Sequence, residues 1–329
     1  MNTSTGISES SPNPTGVRHR IIGITTLVAF TMYLDRICIA EIAKLDDFRN
    51  TLLLSEKETG AILSAFFFTY ALGQVPAGWL SDRLGSRIML PVYIIIWSVC
   101  TMFTGLANGF AMLFIARMLF GFAQAGCYPT ASSLIKRWIP PLRRGTASSL
   151  VSFGGRLGGA TAPLLTAWLL RDILGWRGVL IAYGLSGLLV AVLFRKMVRE
   201  KPSGHPACNQ AEINLVDDNT TSTNSKDALR FPSIMPLLKS EPLWCMCSLQ
   251  FGINIGWVFL VTWLPKYLKD VKQVDPGLGG LMSTLVLFAG IVGTLCGGPL
   301  TDFSVRKLGK RWGRSIPMVG SYVLAIVAY

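Results

Sequence analysis

The chain has 329 residues, of which 15% are charged and 51% are hydrophobic, and its mean hydropathy is +0.47. An ordinary soluble domain carries about 25% charged residues and a disordered chain is poor in apolar ones, so this composition excludes disorder for most of the chain and disfavours a soluble enzyme. The formal net charge is +13, but no basic stripe is interleaved with aromatic residues, so we expect no nucleic-acid partner. A polytopic membrane protein is the class that fits.

Long runs without Asp, Glu, Lys or Arg indicate membrane-spanning helices. They cover 59–81, 88–116, 178–194, 242–265, 276–301 and 315–329. A bilayer core about 30 Å thick needs about 20 apolar residues in helical form, and most of these runs are that long. From the apolar stretches we predict nine helices in chain order: 21–43, 58–81, 88–107, 110–136, 144–170, 177–195, 243–267, 278–301 and 315–329.

Charge and polarity divide the chain into parts. The polar segment 199–240 separates six predicted helices from three, as a linker between two bundles does. We therefore expect a tail over 1–18, a six-helix bundle over 19–198, the linker, and a partial bundle over 241–329. Most Lys and Arg outside the helices fall in alternate loops, on the side of the N-terminus and the linker. That side is predicted to be cytoplasmic, in a multi-pass protein of the inner or plasma membrane with a surrounding lipid bilayer.

One motif occurs in both blocks of helices. In the first block its defined positions are Gly78, Leu80, Asp82, Arg83, Gly85 and Arg87. In the second block the first three positions recur 220 residues later, as Gly298, Leu300 and Asp302. Such an internal repeat is typical of transporters with two related halves, and a complete second half would need three more helices. Because the chain ends within the apolar run 315–329, we expect a C-terminal truncation.

The acidic residue of this motif suggests a mechanical role. Asp82 lies at a helix end, where its carboxylate could cap the next helix or pair with a basic residue across the bundle. A charge contact of this kind holds one conformation of a two-state element closed. We favour this gating role for the motif over an ordinary charged turn.

Four charged residues lie well inside predicted helices, away from the helix ends: Asp35 and Arg36 in the first, Arg117 in the fourth and Arg156 in the fifth. Each such charge costs about 2.5–3.5 kcal/mol on insertion scales, so we expect it to face a partner or a wet cavity. An Asp35–Arg117 ion pair is one alternative, but three arginines against one carboxylate leave an excess of positive charge. A cavity of this kind suits an anion, since guanidinium groups bind carboxylates through paired hydrogen bonds. Arg156, in the glycine-rich segment 154–159, could reach a substrate or bond a backbone carbonyl at a helix crossing.

These motifs resemble the major facilitator superfamily, whose loop between the second and third helices carries G-x-L-x-D-R-x-G-x-R. Within it, the sequence resembles the anion:cation symporter family, which includes bacterial galactonate, glucarate and hexuronate transporters, sialin and vesicular glutamate transporters. The segments that carry the resemblance are 33–36, 64–85, 117–126 and 250–268. It implies an all-α polytopic membrane protein with the major-facilitator fold: an N-terminal six-helix bundle and an incomplete C-terminal bundle, with about three of its six helices.

The resemblance also implies roles for individual residues. Arg36 binds the substrate carboxylate, and Asp35 takes part in proton coupling. The other residues that the resemblance assigns to the substrate site are Tyr33, Tyr70, Arg117 and Gln250. Asn254 lies one turn after Gln250 on the same predicted helix and is a further candidate for the cavity.

Two positions depart from the family pattern. Met32 stands where the family usually has Asn, and Gln124 stands where it usually has Glu, seven residues after Arg117. Seven residues are about two helical turns, so Gln124 and Arg117 face the same side of their helix. Because an amide cannot titrate, we predict that this protein couples fewer protons per anion than relatives with Glu at this position, or that it works as an exchanger or as a sodium-linked carrier. A neutral polar contact, with the proton carried by Asp35 alone, is the alternative.

The sequence therefore predicts a secondary active transporter of a small organic anion, a sugar acid or another carboxylate. We expect coupling to a proton or a sodium ion, alternating access, and a monomer. A transport-inactive remnant, such as a sensor or partner-binding protein, is the alternative. We expect no enzyme activity, cofactor or metal site, because His19 and His205 lie far apart outside the helices and no G-x-x-x-x-G-K-[ST] nucleotide loop occurs.

Overall fold

The computed structural model describes residues 13–172, 174–217, 234–259, 264, 267–268, 271–273 and 276–328. In that part of the chain every regular element is helical, and the predicted all-α fold is confirmed. The α-helices are α1 (Val17–Ile42), α2 (Asp46–Thr51), α3 (Glu56–Leu84), α4 (Ser86–Gly105), α5 (Phe110–Ala125), α6 (Cys127–Trp138), α7 (Arg144–Asp172), α8 (Trp176–Met197), α9 (Gln210–Asp217), α10 (Ile234–Leu238), α11 (Glu241–Val258) and α12 (Pro276–Ala328). Two short 3-10 helices, Pro141–Arg143 and Pro202–Gly204, lie in the connections.

Five helical stretches of the described chain are long and apolar enough to cross a membrane. They are α1, α3, α4, α5 together with α6, and α8. Helix α7 has 29 residues and is long enough, but its many Gly, Ser and Thr residues lower its hydropathy. The lengths and composition of these helices are those of a multi-pass membrane protein.

The helix boundaries differ from the sequence expectation in two places, and a third lies outside the described residues. The predicted helix 110–136 is divided into α5 and α6 at Gly126, where a Cβ would collide with the ring of Tyr93. The predicted helices over 278–301 and 315–329 are joined in α12, whose helical backbone is interrupted at Gly309 with φ 76° and ψ 175°. The helix expected over 243–267 is described as α11, and most of 260–270 lies outside the described residues.

The helices of the first block pack mainly in pairs, α1 with α7, α4 with α8, and α3 with α5. Glycine makes the α1–α7 pair possible. A Cβ on Gly154 or on Gly158 would collide with the carbonyl oxygens of Thr26 and Phe30 respectively. The glycine-rich segment of α7 therefore serves close helix packing, as small residues do at helix interfaces in membranes.

The chain divides into two compact units, Met1–Thr223 with Gly297–Tyr329, and Asn224–Cys296. The first unit contains two buried apolar clusters. One is centred on Trp97, Trp138 and Phe66, and the other on Phe48 and Trp176. Asp35 and Arg36 of α1 follow Tyr33, which packs on the first cluster, and Leu34, which belongs to the second, so the first unit carries most of the predicted site.

Candidate functional site

Arg36 of α1 lies in an aromatic cage. Its guanidinium carbon is 4.7 Å from the ring centroid of Tyr33, 4.9 Å from that of Phe66 and 4.6 Å from that of Tyr70. Attraction between a cation and the face of an aromatic ring stabilises a guanidinium group away from bulk water. Its Nη2 is buried and has no hydrogen-bond partner among the described residues. The cage therefore holds the cation and leaves the N–H groups of Nη2 without an acceptor.

Gln124 of α5 fixes the position of Arg36. Its Oε1 accepts a hydrogen bond from Arg36 Nε at 3.0 Å, and its Nε2 donates to the carbonyl oxygen of Met32 at 2.9 Å. The side chain is fully buried. Because the amide supplies both an acceptor and a donor, it bridges α5 to α1 in a way that an ionised carboxylate, which only accepts, does not reproduce.

Arg117 of α5 is the second buried cation, with 4% of its surface exposed. Its guanidinium carbon is 4.5 Å from the ring centroid of Phe120 and 5.2 Å from that of Phe66. Its Nε is buried without a hydrogen-bond partner in the described chain. Arg36 and Arg117 therefore border the same ring, Phe66, and each keeps an unsatisfied donor.

Asp35 has different neighbours from Arg36, although the two are adjacent in sequence. It is 1% exposed, and neither carboxylate oxygen has a hydrogen-bond partner among the described residues. A Cβ on Gly187 of α8 would lie 3.5 Å from Asp35 Oδ2 and would collide with Ser98 Oγ of α4. The ion pairs of the described chain do not include Asp35 with Arg117, so that alternative is not what the structure contains. Asp35 instead faces the α1–α4–α8 interior, where Trp97 and Ser98 place the nearest donors to its carboxylate.

Two aromatic residues of the site were missed by sequence reasoning. Phe66 lies one turn before Tyr70 on α3, and this spacing could have suggested it. Tyr128 lies beside Tyr33, since a Cβ on Gly155 would come within 2.6 Å of the Tyr128 hydroxyl and 2.9 Å of the Tyr33 ring. Arg156, next to that glycine, is partly buried on α7.

Gln250 and Asn254 lie in the second unit. Both are exposed on α11, and Asn254 Nδ2 donates to the backbone carbonyl of Gln250 at 2.9 Å. This bond is the local contact of residues one helical turn apart. That these two residues line the substrate cavity stays a prediction.

The first copy of the repeated motif forms the junction of α3 and α4. Asp82 accepts a hydrogen bond from Ser133 Oγ of α6 at 3.1 Å. Gly85 has φ +88° and ends α3. The first turn of α4 is capped by Glu200, whose carboxylate accepts from the backbone amides of Ser86 at 3.1 Å and of Arg87 at 2.9 Å. Asp82 therefore does not cap the next helix, and Glu200, which sequence reasoning missed, does.

Other members of this copy have local contacts. The guanidinium carbon of Arg83 is 5.5 Å from the ring of Trp79, one turn earlier, and a Cβ on Gly78 would be 3.3 Å from Pro129 of α6. Glu200 also forms an ion pair with Arg137 of α6.

The second copy of the motif contacts the start of α7. Asp302 is 6% exposed. Its Oδ1 accepts from the backbone amide of Gly145 at 3.0 Å, and its Oδ2 accepts from the backbone amide of Thr146 at 2.8 Å and from Thr146 Oγ1 at 2.7 Å. A Cβ on Gly298 would lie 2.7 Å from the Cβ of Ser149. This copy is therefore a buried cap on a helix N-terminus.

No group of three or more His, Cys, Asp or Glu side chains that could hold a metal ion occurs among the residues that the structure describes. The arrangement in the first unit is instead two buried guanidinium groups among aromatic rings, with unsatisfied donors. Chemically, it is suited to binding an anion that accepts hydrogen bonds.

Comparison with known proteins gives a consistent set of relatives. The family model described as Major Facilitator Superfamily matches residues 25–329. A protein of Cupriavidus necator described as "Probable sulfoacetate transporter" is 31% identical over 294 residues, 89% of this chain and 67% of that protein. A "Probable galactarate/D-glucarate transporter" of Bacillus subtilis is 28% identical over 325 residues, 94% of this chain and 70% of that protein.

Solved structures agree on the fold. The inward-facing, unoccupied crystal structure of a bacterial homolog of the human lysosomal transporter Spinster matches with a TM-score of 0.55 and 24% identity, covering 88% of this chain and 61% of that chain. The present chain thus spans about three fifths of the Spinster homolog and about two thirds of the sulfoacetate transporter's length. The family and the names of the relatives indicate a transporter and not an enzyme.

Proposed function

Because the chain belongs to the Major Facilitator Superfamily, we propose that it is a secondary active transporter of a small organic anion, a sugar acid or a related carboxylate or sulfonate. The observation that carries the proposal is the pair of buried guanidinium groups that border Phe66 and keep unsatisfied donors. The relatives described as transporters of sulfoacetate and of galactarate or D-glucarate support an anionic substrate.

In this proposal Arg36 receives the acidic group of the substrate. Its Nη2 donates to a carboxylate or sulfonate oxygen, while Gln124 holds Nε and keeps the guanidinium plane in place. Tyr33 and Tyr70 close the cage around the bound group. Arg117 supplies the second positive charge, and the substrate is attracted because the described ion pairs include neither arginine.

The remaining parts of the proposal concern coupling and gating. Asp35 is the acidic residue buried deep in a described span, and we assign to it the coupling proton or sodium ion. Gln250 and Asn254 contribute hydrogen bonds to substrate hydroxyls from the second half, and Arg156 borders the cavity. We assign to the two copies of the repeated motif, both on the side of the basic loops, a latch that holds one conformation of the transport cycle closed.

The proposal also covers topology. The protein acts as a monomer in the cell membrane, with its N-terminus and the 199–240 linker on the cytoplasmic side, as the charge distribution of the loops favours. The linker joins the bundle over 19–198 to the helices over 241–329.

Binding and uptake test the anion site. Purified protein would be titrated with galactarate, D-galactonate and sulfoacetate, with neutral D-galactose as the reference. Arg36→Gln and Arg117→Gln should each weaken anion binding roughly 10- to 100-fold, because each removes a charge-assisted hydrogen bond. Arg20→Gln removes a charge from the exposed end of α1 and should bind as the unmodified chain does. Equal binding by all three variants would disprove the site.

Uptake into proteoliposomes distinguishes transport from binding alone. Anion accumulation that collapses when the cation gradient is removed supports a coupled transporter. Binding that depends on Arg36 without any uptake would favour the transport-inactive alternative.

Gln124→Glu tests the coupling role. The new carboxylate would pair with Arg36 and, while ionised, could no longer donate to the Met32 carbonyl. Protonation of residue 124 would then be linked to anion binding at Arg36. We expect the variant to move more protons per anion, read with a pH dye in proteoliposomes. If the unmodified protein already moves two protons per anion, the idea that Gln124 removes a coupling site is wrong.

A further inference from the structure

A cavity of about 610 Å³ lies in the first unit, beside the N-terminal end of α1. Its basic side chains are Arg18, His19, Arg143 and Arg306, and its apolar side chains include Leu150 and Phe153. We call it the basic cavity. It is separate from the anion site, because Arg36 lies 18 residues beyond Arg18 on the same helix, about 27 Å along its axis.

The basic cavity has an excess of positive charge. Arg18 is held by the fully buried Glu212 of α9, to which its Nη1 donates at 2.8 Å, and this pair is balanced. Arg143 and Arg306 are exposed and belong to none of the ion pairs of the described chain. None of the described lining residues is acidic. Two guanidinium groups therefore face the cavity without a counter-ion.

One acidic residue lies close by, but its oxygens are occupied. Asp302 accepts three hydrogen bonds from Gly145 and Thr146 at the start of α7. Arg18 also contributes a buried Nε that has no partner in the described part of the chain. Arg143 and Arg306 are therefore the cavity's accessible donors, and no carboxylate among the described lining residues competes for them.

The apolar end of the basic cavity follows the helices towards the membrane. Leu150 and Phe153 lie along α7, and Ile22 lies along α1, one turn beyond the basic residues. Basic side chains at the end of a span lie at headgroup level. A ligand that fills this cavity therefore needs an anionic head and an apolar tail.

We propose that the basic cavity binds an anionic phospholipid of the leaflet on the N-terminal side. The phosphate lies between Arg143 and Arg306, and an acyl chain covers Leu150 and Phe153. A soluble organic phosphate shares the head chemistry, but it would leave the apolar end of the cavity unused.

The test compares lipid retention by the purified 329-residue chain and its variants. Protein in mixed micelles of phosphatidylglycerol and phosphatidylcholine would be analysed by native mass spectrometry. The double variant Arg143→Gln/Arg306→Gln should lower the preference for phosphatidylglycerol roughly thirtyfold, and each single variant roughly fivefold. The matched control Arg20→Gln removes the same charge from an exposed position on α1 that does not line the cavity, and should keep the preference. A double variant that behaves as the control would overturn the proposal.

A second arm separates the lipid from a soluble anion. Leu150→Asn keeps every charge and makes the apolar end polar; Leu150 is 40% exposed, so the fold tolerates the change. This variant should retain less phosphatidylglycerol than the unmodified chain. Glycerol 3-phosphate should not displace the lipid at equal concentration. Displacement by glycerol 3-phosphate together with unchanged retention by Leu150→Asn would assign the cavity to a soluble phosphate and overturn the lipid proposal.

Discussion

The two copies of the repeated motif share their Gly, Leu and Asp but form different contacts. Asp302 is buried and accepts three hydrogen bonds from the first turn of α7. Asp82 is exposed and accepts one bond, from a serine hydroxyl within α6. An ionised aspartate is stabilised at a helix N-terminus, because the unpaired backbone amides donate hydrogen bonds to it and the helix dipole is positive there. The motif therefore supplies a carboxylate, and a cap forms only where the N-terminus of another helix packs against that carboxylate.

The turns after the two aspartates differ as well. In the first copy, Gly85 adopts φ +88° and ends α3 three residues after Asp82. The position equivalent to Gly85 in the second copy is Val305, which continues the helix, and the left-handed residue is Gly309, with φ +76°. The second copy is thus one helical turn longer before its break.

Removing the Asp302 carboxylate should have the largest effect. Asp302→Ala leaves two backbone amides and one hydroxyl at the start of α7 without their acceptor, and we expect a loss of about 3 kcal/mol in the free energy of unfolding. Denaturant titration of the detergent-solubilised protein measures it. Asp302→Asn keeps one acceptor oxygen and should lose less. If Asp82→Ala destabilises the protein as much as Asp302→Ala, the two copies are equivalent and the comparison fails.

The glycine at each turn gives the next effect. Gly85→Ala should destabilise the protein by about 2 kcal/mol, because alanine is strained at this φ and its Cβ would lie 2.8 Å from Glu200 Oε2. Gly309→Ala has the same strain in open space, with nothing within 4 Å among the described atoms, and should cost about 1 kcal/mol. Thermal unfolding of the two variants measures these losses. A larger drop in melting temperature for Gly309→Ala than for Gly85→Ala would show that the cap by Glu200 does not depend on the turn at Gly85.

The sequence predicted the helices well because a span has a strong local signal, a long uncharged run. It also indicated Arg36, Tyr70 and Arg117 as one site, and these residues do gather around Phe66. It could not indicate Glu200 as the cap of α4, since Glu200 lies 114 residues from Ser86 and only tertiary packing brings them together. Of the two alternatives for Asp82, the cap on the next helix is not what the structure contains, because Glu200 takes that position.

Removing Glu200 sharpens the comparison. This residue does for α4 what Asp302 does for α7, but its side chain is 32% exposed. Glu200→Ala should therefore lower the free energy of unfolding by about 1 kcal/mol, the value of a single cap, with little added by the exposed pair with Arg137. Glu56→Ala is the control for an exposed acidic residue in the first turn of a helix, since Glu56 pairs with Arg49 at 3.6 Å and its carboxylate has no backbone amide partner among the described hydrogen bonds. A loss as large as that of Asp302→Ala would mean that exposure does not weaken this cap.

Asp82→Ala should have the smallest effect on stability, below about 0.5 kcal/mol, since surface substitutions away from caps rarely cost more. Ser133→Ala removes the other half of the same contact and should match it. The informative measurement is then transport, because a latch contributes in the conformation that it closes and not in every conformation. One informative result is that Asp82→Ala leaves the unfolding midpoint unchanged but slows anion uptake, while Ser133→Ala changes neither quantity. Asp82 would then have a second partner in another conformation, and both copies of the motif would be latches that act in different conformations. If both variants transport normally, the contact of Asp82 with α6 is an ordinary surface hydrogen bond, and only the Asp302 copy of the motif holds two helices together.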